Sequence, residues 1–168
     1  MSEVNLQSVF NMNRFFVSAV ERLAGDIPEE KMLSRPGETP DQGNSPLWIL
    51  GHLAICVEFA EALLGDEMQN PRWVPVFGPG SPGDIKKPER YSHEAFLKKI
   101  TEGYFALHDR IVAADPDQLN EPHGLDLFSG TSFKTRRDVL LHLMTTHIAF
   151  HSAQLSRCRK VFGHERLL

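Results

Sequence analysis

His147 and His151 stand four residues apart. On a helix that spacing places two side chains on one face, one turn apart, with β-carbons roughly 5–6 Å from each other. Two neutral imidazoles so placed can share one divalent ion, with metal–nitrogen bonds of roughly 2.0–2.1 Å for zinc, provided a third ligand arrives from another helix. His52 is the candidate, because Trp48, Ile49, Ile55, Cys56 and Phe59 surround it on an apolar stripe, where an unpartnered polar ring would be costly. The expected metal ligands are therefore His52, His147 and His151. Three protein ligands leave a coordination position open, as catalytic sites do and closed structural sites do not. Water or a substrate thiol could fill it, and the ion would lower the pKa of either. The plainer alternative for His52 is a core histidine hydrogen-bonded to a neighbour, and a His-x-x-x-His spacing is common by itself.

The neighbouring residues sort by the same helical arithmetic. His142 precedes His147 by five residues, which in a regular helix turns it about 140° away, toward solvent or another helix. Cys56 lies one turn after His52 and is a candidate fourth ligand that would close the site, although a buried free cysteine is ordinarily packing. Gln154, three residues after His151, is placed to orient a ligand or bound water, or to bond across helices. Trp48 reads as core more than as substrate contact. His123 and Asp126 read as exposed loop residues. Glu58 and Glu61 lie roughly 100–200° off the His52 stripe and read as solvated. Ligating histidines must be neutral, so metal occupancy is expected to fall below about pH 6.

Four helices are needed to carry these residues. Leu6, Val9, Phe10, Phe16, Val17, Val20 and Leu23 recur at helical spacing before Gly25. Residues Ile27 to Gly43, with Pro28, Pro36 and Pro40, read as a long crossover loop. Ser45-Pro46 opens the second helix, since serine caps free N–H groups and proline suits the first helical position. Its stripe runs from Trp48 to Leu63. Asp66 to Tyr91 is rich in proline and glycine and is expected to fold over a bundle end, covering Trp73, Val76 and Phe77. Ser92 caps the third helix, whose inward residues run from Phe96 to Ile111. After Asp115-Pro116 and an irregular segment with Pro122, Gly124 and Gly130, the last helix starts near Thr135 and runs to Gly163. The fold class read from this pattern is all-α, a four-helix bundle with long crossover loops, in a single domain over residues 1–168.

Composition bounds the partners. The chain has 41% hydrophobic and 24% charged residues and a net charge of -4, with its cations scattered, so nucleic acid is not an expected partner. Residues Met1 to Leu6 lack the cationic and apolar parts of a signal peptide. No apolar run approaches the roughly 20 residues of a membrane helix. The expected compartment is the cytoplasm. Cys56 and Cys158 are the only cysteines and have no CxxC spacing, which argues against a disulfide scaffold and a cysteine-based zinc site.

The run Pro46-Leu47-Trp48-Ile49-Leu50-Gly51-His52 and the run His147-Ile148-Ala149-Phe150-His151-Ser152-Ala153-Gln154-Leu155 together resemble the DinB superfamily. The family pattern usually has glycine where this chain has Ala153. The resemblance covers essentially the whole chain, including the acidic turn Asp115 to Leu119. It implies a four-helix bundle, commonly a homodimer, with a metal on the residues matching His52, His147 and His151. Characterised relatives include transferases that use bacillithiol or mycothiol, and a maleylpyruvate isomerase. The resemblance therefore implies a metal-dependent transferase using a low-molecular-weight thiol, with zinc or nickel as the first metals and iron as a third. The metal would hold the thiolate, while the loop Asp66 to Tyr91 would help shape the electrophile site for a small-molecule substrate. Two alternatives stay open: a non-enzymatic dimeric bundle whose metal has a structural or sensing role, and a metal-dependent hydrolase.

Overall fold

The computed structural model describes residues 6–37, 43–165 and 167. Pro40 of the first crossover loop and residues 1–5 of the leading segment lie outside them. Helix α1 spans Leu6–Ala24 and α2 Pro46–Leu63. Ser45 caps α2 through its hydroxyl, which accepts from the Trp48 N–H at 3.4 Å. A single helical turn, α3 (Val74–Phe77), interrupts the proline-rich loop. Helix α4 (His93–Ala113) begins at the Ser92 cap, and the short α5 (Pro116–Asn120) begins at Asp115, whose carboxylate accepts from the Asp117 N–H. The last helical stretch comprises α6 (Arg136–His142), a π-helical turn over Leu143–His147 and α7 (Ile148–Val161). Thr135 and Asp138 form a reciprocal capping box at its start. Among the described residues there is no named strand, and a lone bridge joins Pro122 to Thr135.

The long helices assemble into a bundle in which α2 packs on α4, α1 on α7, α1 on α4, and α2 on α6 and α7. The stretch α6–α7 runs antiparallel to α2. Arg136 Nη1 donates to the Leu63 carbonyl at one end, and the Cys158 thiol donates to the Asn44 carbonyl at the other. One apolar core fills the space between them, with Leu50, Leu53, Ile100, Leu107 and Met144 fully buried.

Helix α2 is buried on nearly every side, not along a stripe, because α4, α6–α7 and the proline-rich loop surround it. Apolar residues all round are the signature of such a central helix. Its 18 residues reach a mean hydropathy of 1.4, long and apolar enough by composition to cross a membrane, yet 83% of them are buried inside the bundle.

Candidate metal centre

The three histidines expected as ligands converge. One nitrogen from each of His52, His147 and His151 lies within 4.8 Å of the others. The Nε2 atoms of His52 and His147 are 3.2 Å apart. Two nitrogens bound at roughly 2.0–2.1 Å to a tetrahedral ion would sit roughly 3.3–3.4 Å apart, so this pair already has the required spacing.

Local structure sets which nitrogen each ring offers. His52 Nδ1–H donates to the Phe77 carbonyl at 2.6 Å, and His151 Nδ1–H donates to Gln154 Oε1 at 2.8 Å. In both rings the hydrogen on Nδ1 leaves a lone pair on Nε2, as outer-shell acceptors do for metal-ligating histidines. Gln154 thus has the orienting place its spacing suggested.

The Phe77 carbonyl is delivered by α3, which lies close against α2 at Gly51. A β-carbon there would stand 2.5 Å from the Phe77 ring, so any larger residue would push α3 away. Trp48 fixes the other side. It is 6% exposed, stacks on His52 with ring centroids 4.8 Å apart, and its Nε1–H donates to the Val76 carbonyl and Ser81 Oγ, both at 3.0 Å. It is a core residue, as read from the sequence, and also orients a candidate ligand.

Electrostatics favour the ligating form. Burial, then the proximity of the other histidines, pushes His147 down to about 2. Burial and His52 push His151 down to about 3, against a smaller upward pull from Gln154. Burial also lowers His52. Desolvation disfavours the imidazolium, so all three rings are neutral across the physiological range, as metal ligation requires. Burial therefore holds these rings neutral to lower pH than a solvated imidazole.

His147 and His142 depart from regular-helix arithmetic. The π turn inserts a residue into the last helix, so residues five apart, not four, come into line across it. His142 therefore does not point away from His147: their rings lie 5.6 Å apart, edge to face, and both line one cavity. His142 is not among the three converging ligands. Its Nδ1 is 2.6 Å from Thr146 Oγ1, leaving Nε2 available to a bound molecule.

A π turn frees carbonyls from their usual partners, and side chains meet them here. Thr145 Oγ1 donates to Leu141 O at 2.6 Å, Tyr104 OH to Leu143 O at 3.2 Å, and Asn13 Nδ2 to Met144 O at 2.8 Å. His108 Nε2–H in turn donates to Asn13 Oδ1 at 2.8 Å. Asn13 and His108 are buried polar residues that spacing arguments passed over. The available signal was an asparagine on the apolar stripe of α1, between Phe10 and Val17.

Cys56 lies 3.8 Å from His52 Nε2 and 3.9 Å from His147 Nε2 but falls outside the converging triad. Complete burial raises its thiol far above the ordinary range. It stands beside the triad and lines a cavity.

The cavity has a volume of about 900 Å³ and is lined by His52, His147 and Cys56 at its floor. Of the loop Asp66 to Tyr91, which was expected to help shape an electrophile site, Pro79 lines this cavity. The segment before α6 forms its wall. Its base is closed by the Arg136 N–H donating to Glu121 O at 2.9 Å. His123 holds the segment's shape, donating from Nε2 to Phe133 O at 3.2 Å and accepting from the Leu125 N–H at 2.9 Å. Asp126 is exposed, as expected, and also lines the cavity.

The two glutamates expected in solvent are not there, because α2 has no open face at their positions. Glu58 is 0% exposed and accepts from the Asn70 N–H at 2.8 Å and Nδ2 at 2.7 Å, anchoring the start of the turn that leads to α3. Glu61 pairs with Lys99 at 2.8 Å, both side chains 16% exposed. Comparison with known protein families and with curated proteins found no match to this chain.

Proposed function

We propose that this chain is a four-helix bundle of the DinB type that holds one divalent metal on His52, His147 and His151 and catalyses transfer of a low-molecular-weight thiol to a small electrophile. The observation that carries the reading is the convergence of three neutral imidazoles beside a cavity that His52 and His147 line, with the Nε2 lone pairs of His52 and His151 set by Nδ1 donors. Zinc or nickel suits such a donor set, with iron a further option. A bound divalent ion supplies Lewis acidity there, lowering the pKa of a thiol that shares it.

The residues of this chain do the rest. Phe77, Gln154 and Trp48 hold the rings in orientation, so that the ligand atoms need little rearrangement. The apolar walls give the electrophile a surface to pack against, and His142 presents a ring nitrogen to the bound molecule. In the transfer the S–H proton leaves to solvent, the sulfur forms a bond to the electrophilic carbon, and the leaving group departs with its bonding electron pair.

The test is a turnover screen with metal-loaded, untagged protein and thiols of several classes against alkylating electrophiles, followed by loss of free thiol. Metal-dependent turnover that disappears in His147→Ala is expected. No conjugation above the spontaneous rate with any thiol would overturn the transferase reading.

A further inference from the structure

The cavity wall says what kind of molecule fits. Its lining is mainly apolar, with Phe59, Leu125, Phe128, Phe133, Val139 and Leu143 among the residues that form it. At about 900 Å³ it falls within the roughly 300–1,000 Å³ of small-molecule sites. Its polar groups gather mainly at the floor, where His52, His142, His147 and Cys56 meet. Neither lysine nor arginine is among the described residues lining it, and the one charged group on the wall is the carboxylate of Asp126. A carboxylate, phosphate or sulfonate on the body of a ligand would therefore lose water without gaining a cation, and would face an anion.

We infer that this cavity binds a neutral, mainly apolar small molecule, its aromatic or branched body against the Leu125 to Phe133 segment and one polar end directed to the histidine floor. The inference rests on the transferase reading in one respect only, that the bound molecule would be the electrophile. It narrows that substrate to an uncharged class and places any multiply anionic thiol outside the apolar wall.

Phe133 and Phe128 contact the His142 ring at 4.8 and 5.6 Å, so the aromatic wall and the polar floor are one continuous surface. A ligand body on the phenylalanines brings its end to His142 and the triad. Leu127 lines the cavity and is 63% exposed, so a change there alters the wall without disturbing the core.

Two fluorescent probes with the same ring body separate the cases: N-phenyl-1-naphthylamine, which is neutral, and 8-anilinonaphthalene-1-sulfonate, which is anionic. Both are titrated into metal-loaded and chelator-treated full-length protein, with metal content measured alongside. Expected are one neutral probe per chain in both forms, at least tenfold tighter than the sulfonate, and weakened about tenfold in Leu127→Asp and in Phe133→Asp. Thiophenol should displace the neutral probe more strongly from the metal-loaded form. Equal affinity for the two probes, or neutral-probe binding unchanged in both variants, would overturn the inference. Because the neutral probe needs no metal, absence of metal would sink the transferase reading while leaving this result to stand or fall separately.

Discussion

His147 differs from the other two candidate ligands in what holds it. His52 and His151 each donate from Nδ1 to an acceptor, whereas His147 Nδ1 is buried without a partner among the described residues. Its position is set by the backbone, one residue before α7 at the end of the π turn. The three converging histidines and Gln154 were legible in the sequence because helical spacing alone brings His147, His151 and Gln154 together, and an imidazole amid apolar neighbours needs a partner. Glu58 was not legible, since its burial depends on a loop that closes over α2. Burial gives the site a definite pH signature. The folded-state values of His147 and His151 lie below the unfolded value near 6.5, so the unfolded chain takes up protons that the folded chain refuses. The stability that these two neutral histidines contribute to the metal-free protein is therefore present above pH 6.5. It falls as pH drops toward 3, by up to about 1.4 kcal/mol per pH unit for each histidine. Thermal melts of chelated protein at pH 7.5 and 5 should show this loss, with a shallower slope in the double variant His147→Gln/His151→Gln. Stability that is flat or rises toward acid would contradict the burial argument.

At the scale of elements, the π turn is the feature that sequence periodicity could not supply. No glycine or proline marks it in Leu143–His147, and the regular-helix count sent His142 to the wrong side. The turn is written instead on other helices, in Tyr104 of α4 and Asn13 of α1, which meet the Leu143 and Met144 carbonyls. Helix starts were legible because Ser45, Ser92 and Thr135 carry their own caps. Replacing Asn13 with leucine leaves the Met144 carbonyl and His108 Nε2 without this partner in the core. It should cost about 1–3 kcal/mol for each buried group left unsatisfied. If the turn positions His147, Asn13→Leu should also weaken metal affinity and change the visible spectrum of the cobalt-substituted protein, while Thr101→Ala, which removes an exposed bond to Glu21 at 2.7 Å, should change neither. An Asn13→Leu protein with wild-type affinity and spectrum would show that the turn does not set the site.

For the whole molecule, the helical bundle and the extent of the helices followed from the apolar pattern. The cavity did not, because its wall comes from an irregular segment whose shape depends on His123 and the Arg136 to Glu121 bond. The buried apolar residues of the long helices form one cluster, of which, among the described residues, Trp48 alone stacks on a histidine of the triad. Chelation should lower stability only by the binding linkage, about 2.7 kcal/mol at a metal concentration 100 times the Kd, and leave a cooperatively folded helical protein by circular dichroism. Unfolding on chelation at 25 °C would mean that the metal is a structural staple. The proposed metal centre is three histidines, on α2 and the last helical stretch, around one ion. Its most direct test is elemental analysis of untagged protein, with cobalt titration of wild type, His147→Ala and His142→Ala followed by visible spectroscopy. One equivalent of metal per chain is predicted for wild type and for His142→Ala, with most binding lost in His147→Ala. Less than a tenth of an equivalent in wild type after metal loading, or equal losses in the two variants, would contradict it.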